Sequence, residues 1–195
     1  EPYRRQRQMC IRDRYRKTRS EIQASAEITG DIYLGTGETD VIRLISQVAV
    51  SFSQKHPGIR YRIFSSDAAG VRELLNKGLL DLGLVYGPSD PEKFTGVLLE
   101  PEDRWGILLP RTHPLAARRF LTPEQVRDLP LILSQQALQS GTLQAWLGKP
   151  LTELHIVGTY TLLTNAAKMV AGGLGCAMGL DGLINTTGSP LCFRP

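Results

Sequence analysis

The stretch Gly30–Phe52, GDIYLGTGETDVIRLISQVAVSF, decides the fold. Asp31 to Gly35 reads as a short strand. After it, Val41, Leu44, Ile45, Val48 and Phe52 recur at i, i+3, i+4, i+7 and i+11, the spacing of a helix with one apolar face. HisProGly at 56–58 stops that helix. Between strand and helix lies the turn GTGETD, made of glycines, hydroxyls and acids. It is not a phosphate loop, because no lysine follows the glycines at the required spacing. A helix start nevertheless presents N–H groups with no partner of their own. Thr36 or Glu38 either caps those donors, or the turn holds a polar ligand there; both readings stand at this point.

Working outward, IRYRIF (59–64) alternates apolar and basic residues as a strand does, and Ser65, Ser66 and Asp67 break it before a helix carrying Val71, Leu74 and Leu75. That helix ends near Gly78. LDLGLVYG (80–87) is a nearly continuous apolar run, predicted as a strand buried on both faces of a parallel sheet. The order strand, helix, strand, helix, strand specifies an α/β unit with crossover connections. GPSDP (87–91) closes it. A second, smaller α/β unit begins with the strand WGILLP (105–110). ThrProGluGln (122–125) has a hydroxyl cap, proline at the first helical position and Gln three residues after the cap, a strong helix start. LPLILS (129–134) and LHIVGTY (154–160) are predicted strands, GTLQAWLG (141–148) and LLTNAAKMVAGG (162–173) helices, and CAMGL (176–180) a last strand of this unit. GLGCAM (173–178) imitates a dinucleotide fingerprint for two glycines, but it leaves a helix and enters a strand, the reverse of the context such a site needs. It is read as a helix C-cap.

Charge is unevenly placed along the 195 residues. Residues 1–20 hold eight basic and two acidic side chains, a local +6, so that the rest, with 15 basic and 17 acidic, carries −2. The globular part thus offers nucleic acid no basic surface. Residues 1–29 are read as a basic, unstructured leader running into the end of a linker helix; QMCIRDR resembles translated sequencing-adapter read-through, and no function is built on these arginines. No run reaches the roughly 18 apolar residues of a membrane helix, and the leader lacks the apolar core of a signal peptide, so a cytoplasmic chain is expected. Cys10, Cys176 and Cys192 are scattered, as are His56, His113 and His155, so neither a disulfide framework nor a metal centre is expected, and no cofactor. No nucleophile motif occurs, which argues against an enzyme. In parallel α/β units ligands sit beyond the carboxyl ends of strands, where the turns after GDIYLG, IRYRIF and LDLGLVY lie, and SerGlnGln (134–136) and ThrTyrThr (159–161) end strands of the second unit.

The ordered series of a Gly-Asp-Ile strand, a helix ending in HisPro, GLLDLG (78–83), RTHPLA (111–116) and MVAGGLG (169–175) resembles the effector-binding region of LysR-type transcriptional regulators from about Ser20 to the end. The resemblance implies two α/β subdomains, similar to type 2 periplasmic binding proteins, with a small effector in the cleft between them. It places residues 30–104 and 188–195 in the first subdomain and 105–187 in the second, and LCFRP at the end reads as a strand cut short. It also implies a homodimer or tetramer, and operator DNA as a partner only of a protein that carries a helix-turn-helix. The candidate effector contacts are Thr36, Gly37, Glu38, Thr39, Ser65, Ser66, Asp67, Tyr86, Ser134, Gln135, Gln136 and Tyr160. Glu38 and Asp40 depart from what a carboxylate effector needs, because two acids in a first helical turn repel an anion. Either the effector is not an anion or these side chains point elsewhere. A solute receptor of a transporter and an enzyme on the same fold are the competing readings.

Overall fold

A computed structural model describes residues 28–85, 91–100, 103–139 and 141–195. The basic leader and the linker reading at 18–27 lie outside the described residues, as does Tyr86. The chain forms two compact units, one of residues up to Thr36 with Leu44–Leu84, the other of Gly37–Arg43 with Val85–Pro195. Among the described residues no helix is long and apolar enough to cross a membrane.

The first unit is a three-stranded parallel sheet in the order β2-β1-β3, from β1 (Thr29–Thr36), β2 (Gly58–Ser65) and β3 (Leu82–Leu84), with α1 (Ile42–Lys55) and α2 (Ala68–Asn76) as the connections. The expected strand-helix alternation is therefore present. Its interior is small: among the described residues Leu34, Val71 and Leu80 are the buried apolar side chains, and Gly35 lets them close, since a Cβ there would stand 2.4 Å from Leu80 Cδ1. Asp67 caps α2 by accepting the Gly70 N–H at 2.8 Å, and Gly78, at φ +66°, ends it as Leu79 N–H donates to the Leu74 carbonyl. Two expectations need correction. No residue of α1 is buried, and Val48, on its predicted apolar stripe, is 67% exposed. The described part of LDLGLVYG, residues 80–85, is not a strand covered on both faces; β3 has three residues, lies at an edge of the described sheet, and leaves Leu82 54% exposed.

The second unit is a five-stranded mixed sheet in the order β6-β5-β7-β4-β8, from β4 (Trp105–Pro110), β5 (Leu131–Ser134), β6 (Ile156–Tyr160), β7 (Cys176–Leu180) and β8 (Leu191–Arg194). β5 runs parallel to β6 and β7; β4 runs antiparallel to β7 and β8. Period-two alternation accounts for its two cores. Ile107, Leu109, Leu131, Leu133, Cys176 and Cys192 point to one face, under α3 (Pro123–Val126), α4 (Gln135–Gln139) and α5 (Thr142–Leu147), while Leu108, Ile132, Ala177 and Leu191 point to the other. There α6 (Leu163–Ala171) covers them with Leu163, Ala166, Ala167 and Val170. With both faces buried, WGILLP and LPLILS read as continuous apolar runs.

The capping box at α3 is present, with Thr122 N–H donating to Gln125 Oε1 at 3.1 Å. The GLGCAM reading also stands. Gly173 takes φ +86°, its N–H donates to Val170 and that of Leu174 to Met169, so two carbonyls at the end of α6 are satisfied in a Schellman turn. Residues 188–195 do not return to the first sheet as expected: β8 pairs with β4 from Ile107↔Arg194 to Pro110↔Leu191 and extends the second. Residues 85–104 likewise group with the second unit.

Candidate functional site

The turn that opened the sequence reading parts company with its neighbours: β1 and most of α1 belong to the first unit, but Gly37–Arg43 packs with the second. Three carboxylates explain its position. Asp103 accepts a hydrogen bond from the Thr39 hydroxyl and another from the Asp40 N–H at 3.2 Å. The same Thr39 oxygen accepts the Val41 N–H at 3.1 Å, so the buried hydroxyl is satisfied in both directions. Asp40 pairs with Arg43 at 2.5 Å, and Gly182, at φ +82°, makes room for it, because a Cβ there would fall 2.8 Å from Asp40 Cγ.

Glu38 reaches furthest. Its Oε2 accepts the N–H of Leu163, the first residue of α6, at 2.7 Å, across 125 positions of sequence. The residue before α6 is Leu162, which has no side-chain acceptor to offer, and that apolar residue at an N-cap position was the one sequence signal that a cap had to come from elsewhere. Glu38 also leaves its charge beside Tyr160. Burial first, and then that charge, raise the Tyr160 hydroxyl well above its ordinary value, so it stays protonated and donates to the Met178 carbonyl at 2.6 Å.

Of the remaining candidate residues, Ser134 ends β5 and accepts the Ala137 N–H at 3.0 Å, capping α4, where Gln135 and Gln136 lie. In the first unit Thr36 is buried, its carbonyl accepts the Ser66 N–H at 3.1 Å, and Asp67 is committed to its cap. Ser65 ends β2, exposed. The Ser66 hydroxyl occupies the space a Cβ on Gly70 would take, 2.2 Å away.

Within the second unit a cavity of about 440 Å³ opens beside these groups. Gln135, Thr159, Tyr160, Thr161 and Asn165 line it, with an apolar wall that includes Ile132 and Ala166. Sequence reasoning named Gln135 and the strand end ThrTyrThr (159–161) here and missed Asn165, which the first turn of α6 brings to them. The volume falls in the range of small-molecule sites, roughly 300–1,000 Å³.

The chain matches the LysR substrate binding domain over residues 25–187. It is 23% identical over 162 residues to an HTH-type transcriptional regulator, YvbU, of Bacillus subtilis, covering 83% of this chain and 53% of that protein. It is 26% identical over 153 residues to a probable hydrogen peroxide-inducible genes activator of Mycobacterium avium, covering 74% of this chain and 47% of the relative. The chain thus spans about half the length of these relatives. Among solved structures it is similar in fold to the effector-binding domain of QuiR in complex with shikimate, with a TM-score of 0.70 and 16% identity over 86% of this chain and 80% of that one. The two sheets of the fold, and a family match that covers both units, lead to one conclusion: the chain belongs to the LysR substrate-binding domain family, the effector-sensing domain of transcriptional regulators.

Proposed function

We propose that this domain binds a small molecule at the β1–α1 turn and the adjoining cavity of the second unit, and that a full-length protein carrying it passes that event to a DNA-binding module. The observation that carries the reading is the turn Gly37–Arg43, which packs with the second unit beside Tyr160 and Leu163 while the chain on either side of it belongs to the first. A ligand that alters those hydrogen bonds changes how the turn is held, and binding that favours one conformation over another is what a sensor requires. Gln135 and Tyr160, which line the cavity, are proposed contacts together with Ser134 and Gln136 next to Gln135 in sequence, and Gly37, Glu38 and Thr39 are proposed contacts at the turn. Thr36, Ser65, Ser66, Asp67 and Tyr86 are proposed as further effector contacts. The full-length protein is proposed to act in the cytoplasm as a homodimer or tetramer on operator DNA.

A thermal-shift screen of the 195-residue chain against amino acids, sugars, alcohols and organic acids tests this. A ligand present at about 100 times its dissociation constant stabilises the fold by about 2.7 kcal/mol, a shift that is easily read. Binding weakened by Gln135→Ala or Thr39→Val supports the site; a hit that neither variant weakens removes it.

A further inference from the structure

We infer, resting on the effector reading above, that the cavity of the second unit takes an uncharged, amphipathic molecule with an apolar body and a hydrogen-bonding end, and discriminates against carboxylates. Among the described residues that line it there is no Asp, Glu, Lys, Arg or His. The Tyr160 hydroxyl among them keeps its proton and donates its hydrogen bond to the Met178 carbonyl. Lys168, the cation of α6, is exposed and absent from the lining. The other polar side chains of the lining are the Gln135 and Asn165 amides and the Thr159 and Thr161 hydroxyls, groups that both donate and accept and so suit an amide, alcohol or carbonyl. Ile132, Val157, Ala166 and Met169 supply the apolar wall.

An anion has two further obstacles. The positive end of α6, which would otherwise attract it, already holds the Glu38 carboxylate on the Leu163 N–H. The start of α1 is held in the same way by Asp103, through Thr39 and the Asp40 N–H. A carboxylate ligand would find no cation among the described lining residues and a resident acid beside Tyr160, and a charge left unpaired on losing water costs several kcal/mol. A neutral ligand meets neither penalty.

The test uses matched primary amides and carboxylates on phenyl, cyclohexyl and indolyl frames, 2-phenylacetamide against phenylacetate being the first pair, titrated into the 195-residue chain with backbone amide shifts as the readout. The expected result is that at least one amide perturbs Gly158, Thr161 and Asn165 and binds about tenfold or more tightly than its carboxylate. Gly158→Leu fills the cavity gently, because a Cβ at that position meets Ile132 Cγ2 at 3.6 Å and Leu174 Cδ2 at 3.9 Å, ordinary contact distances. It should abolish those perturbations while the rest of the spectrum stays native. Glu38→Gln should narrow the ratio of amide to carboxylate affinity. Carboxylates that perturb the same residues at least as strongly overturn the charge assignment and leave the effector reading intact. Amides whose perturbations fall elsewhere, or survive Gly158→Leu, overturn the cavity. A panel in which no amide perturbs these residues overturns the inference as a whole, whereas the effector reading then stands or falls on the broader thermal-shift screen.

Discussion

The two units solve the same problem with unequal means. The second surrounds a five-stranded sheet with side chains on both faces; Leu108, Leu109, Leu131, Leu133 and Val170 are all 0% exposed. The first has three strands and a buried set of Leu34, Val71 and Leu80, while Ile63, Phe64, Val48 and Leu82 stand 45 to 67% exposed. Burial is the main favourable term in folding, at roughly 25 cal/mol per Å² of apolar surface. Stability within the described residues should therefore concentrate in the second unit, which is also the unit that holds the turn and the cavity.

The largest expected effect sharpens that contrast directly. Leu133→Ala removes a fully buried side chain from the sheet centre of the second unit and should cost about 2–5 kcal/mol in urea unfolding. A loss below about 1 kcal/mol would mean that the site is far looser than its burial implies.

Next in size is a loss of stability in alkali. Burial pushes the Cys176 thiol up from an ordinary 9.0 to about 11. Below pH 9 both folded and unfolded chains keep the proton, so the thiol makes no difference between them. Between pH 9 and 11 only the unfolded chain releases it, and stability falls as pH rises, by about 2–3 kcal/mol at 1.36 kcal/mol per unit. Tyr160, also raised, adds to the fall in the same direction above its ordinary 10.0. Unfolding followed from pH 8 to 11 in the native protein and in Cys176→Ala should show the decline in the first and a shallower one in the second. Equal slopes would detach the fall from this residue.

The two helix caps make a finer comparison. Asp67→Ala in the first unit removes an acceptor three residues from its donor, and Glu38→Ala in the second removes one that is 125 residues away. Each should cost about 1 kcal/mol, the usual worth of a cap. Amide exchange separates them. Loss of Asp67 should speed exchange at Gly70 alone, whereas loss of Glu38 should speed it at Leu163 and also free the turn at Thr39 and Asp40. If Glu38→Ala affects Leu163 and leaves the turn protected, Asp103 holds the turn by itself.

That pair of caps also marks where the sequence could be read and where it could not. Elements written in local spacing were legible: the alternation in IRYRIF, the apolar run LPLILS, the capping box at Thr122, the glycines that end α2 and α6, the strand and helix around GTGETD. The bond from Glu38 to Leu163 and the grip of Asp103 on Thr39 have no local signature, because each partner looks like an ordinary surface residue until the fold brings them together. The same holds for β8, whose pairing with β4 rests on registers that no single segment encodes. LDLGLVYG misled for a different reason: an unbroken apolar run signals burial on both faces, but at a sheet edge the neighbours that would cover Leu82 are missing among the described residues. At the candidate site the turn and Gln135 were legible as strand-end polar residues, whereas the first turn of α6 was hidden behind its apolar cap.

The smallest effect is expected on the exposed face of the first unit, and it is the one that could undo the comparison. Ile63 and Val48 are 61% and 67% exposed, so Ile63→Thr or Val48→Ser removes little that is buried. Substitutions at such positions change stability by no more than about 0.5 kcal/mol, and here the polar side chains should leave the urea midpoint where it was. A larger loss has a definite meaning: these side chains are covered in solution and the first unit is not the poorer one. Dilution then tells what covers them. If the loss shrinks as protein concentration falls, the cover is a second copy of the chain, since only association responds to concentration. If it does not, the cover comes from within the chain, and the concentration of stability in the second unit would have to be abandoned.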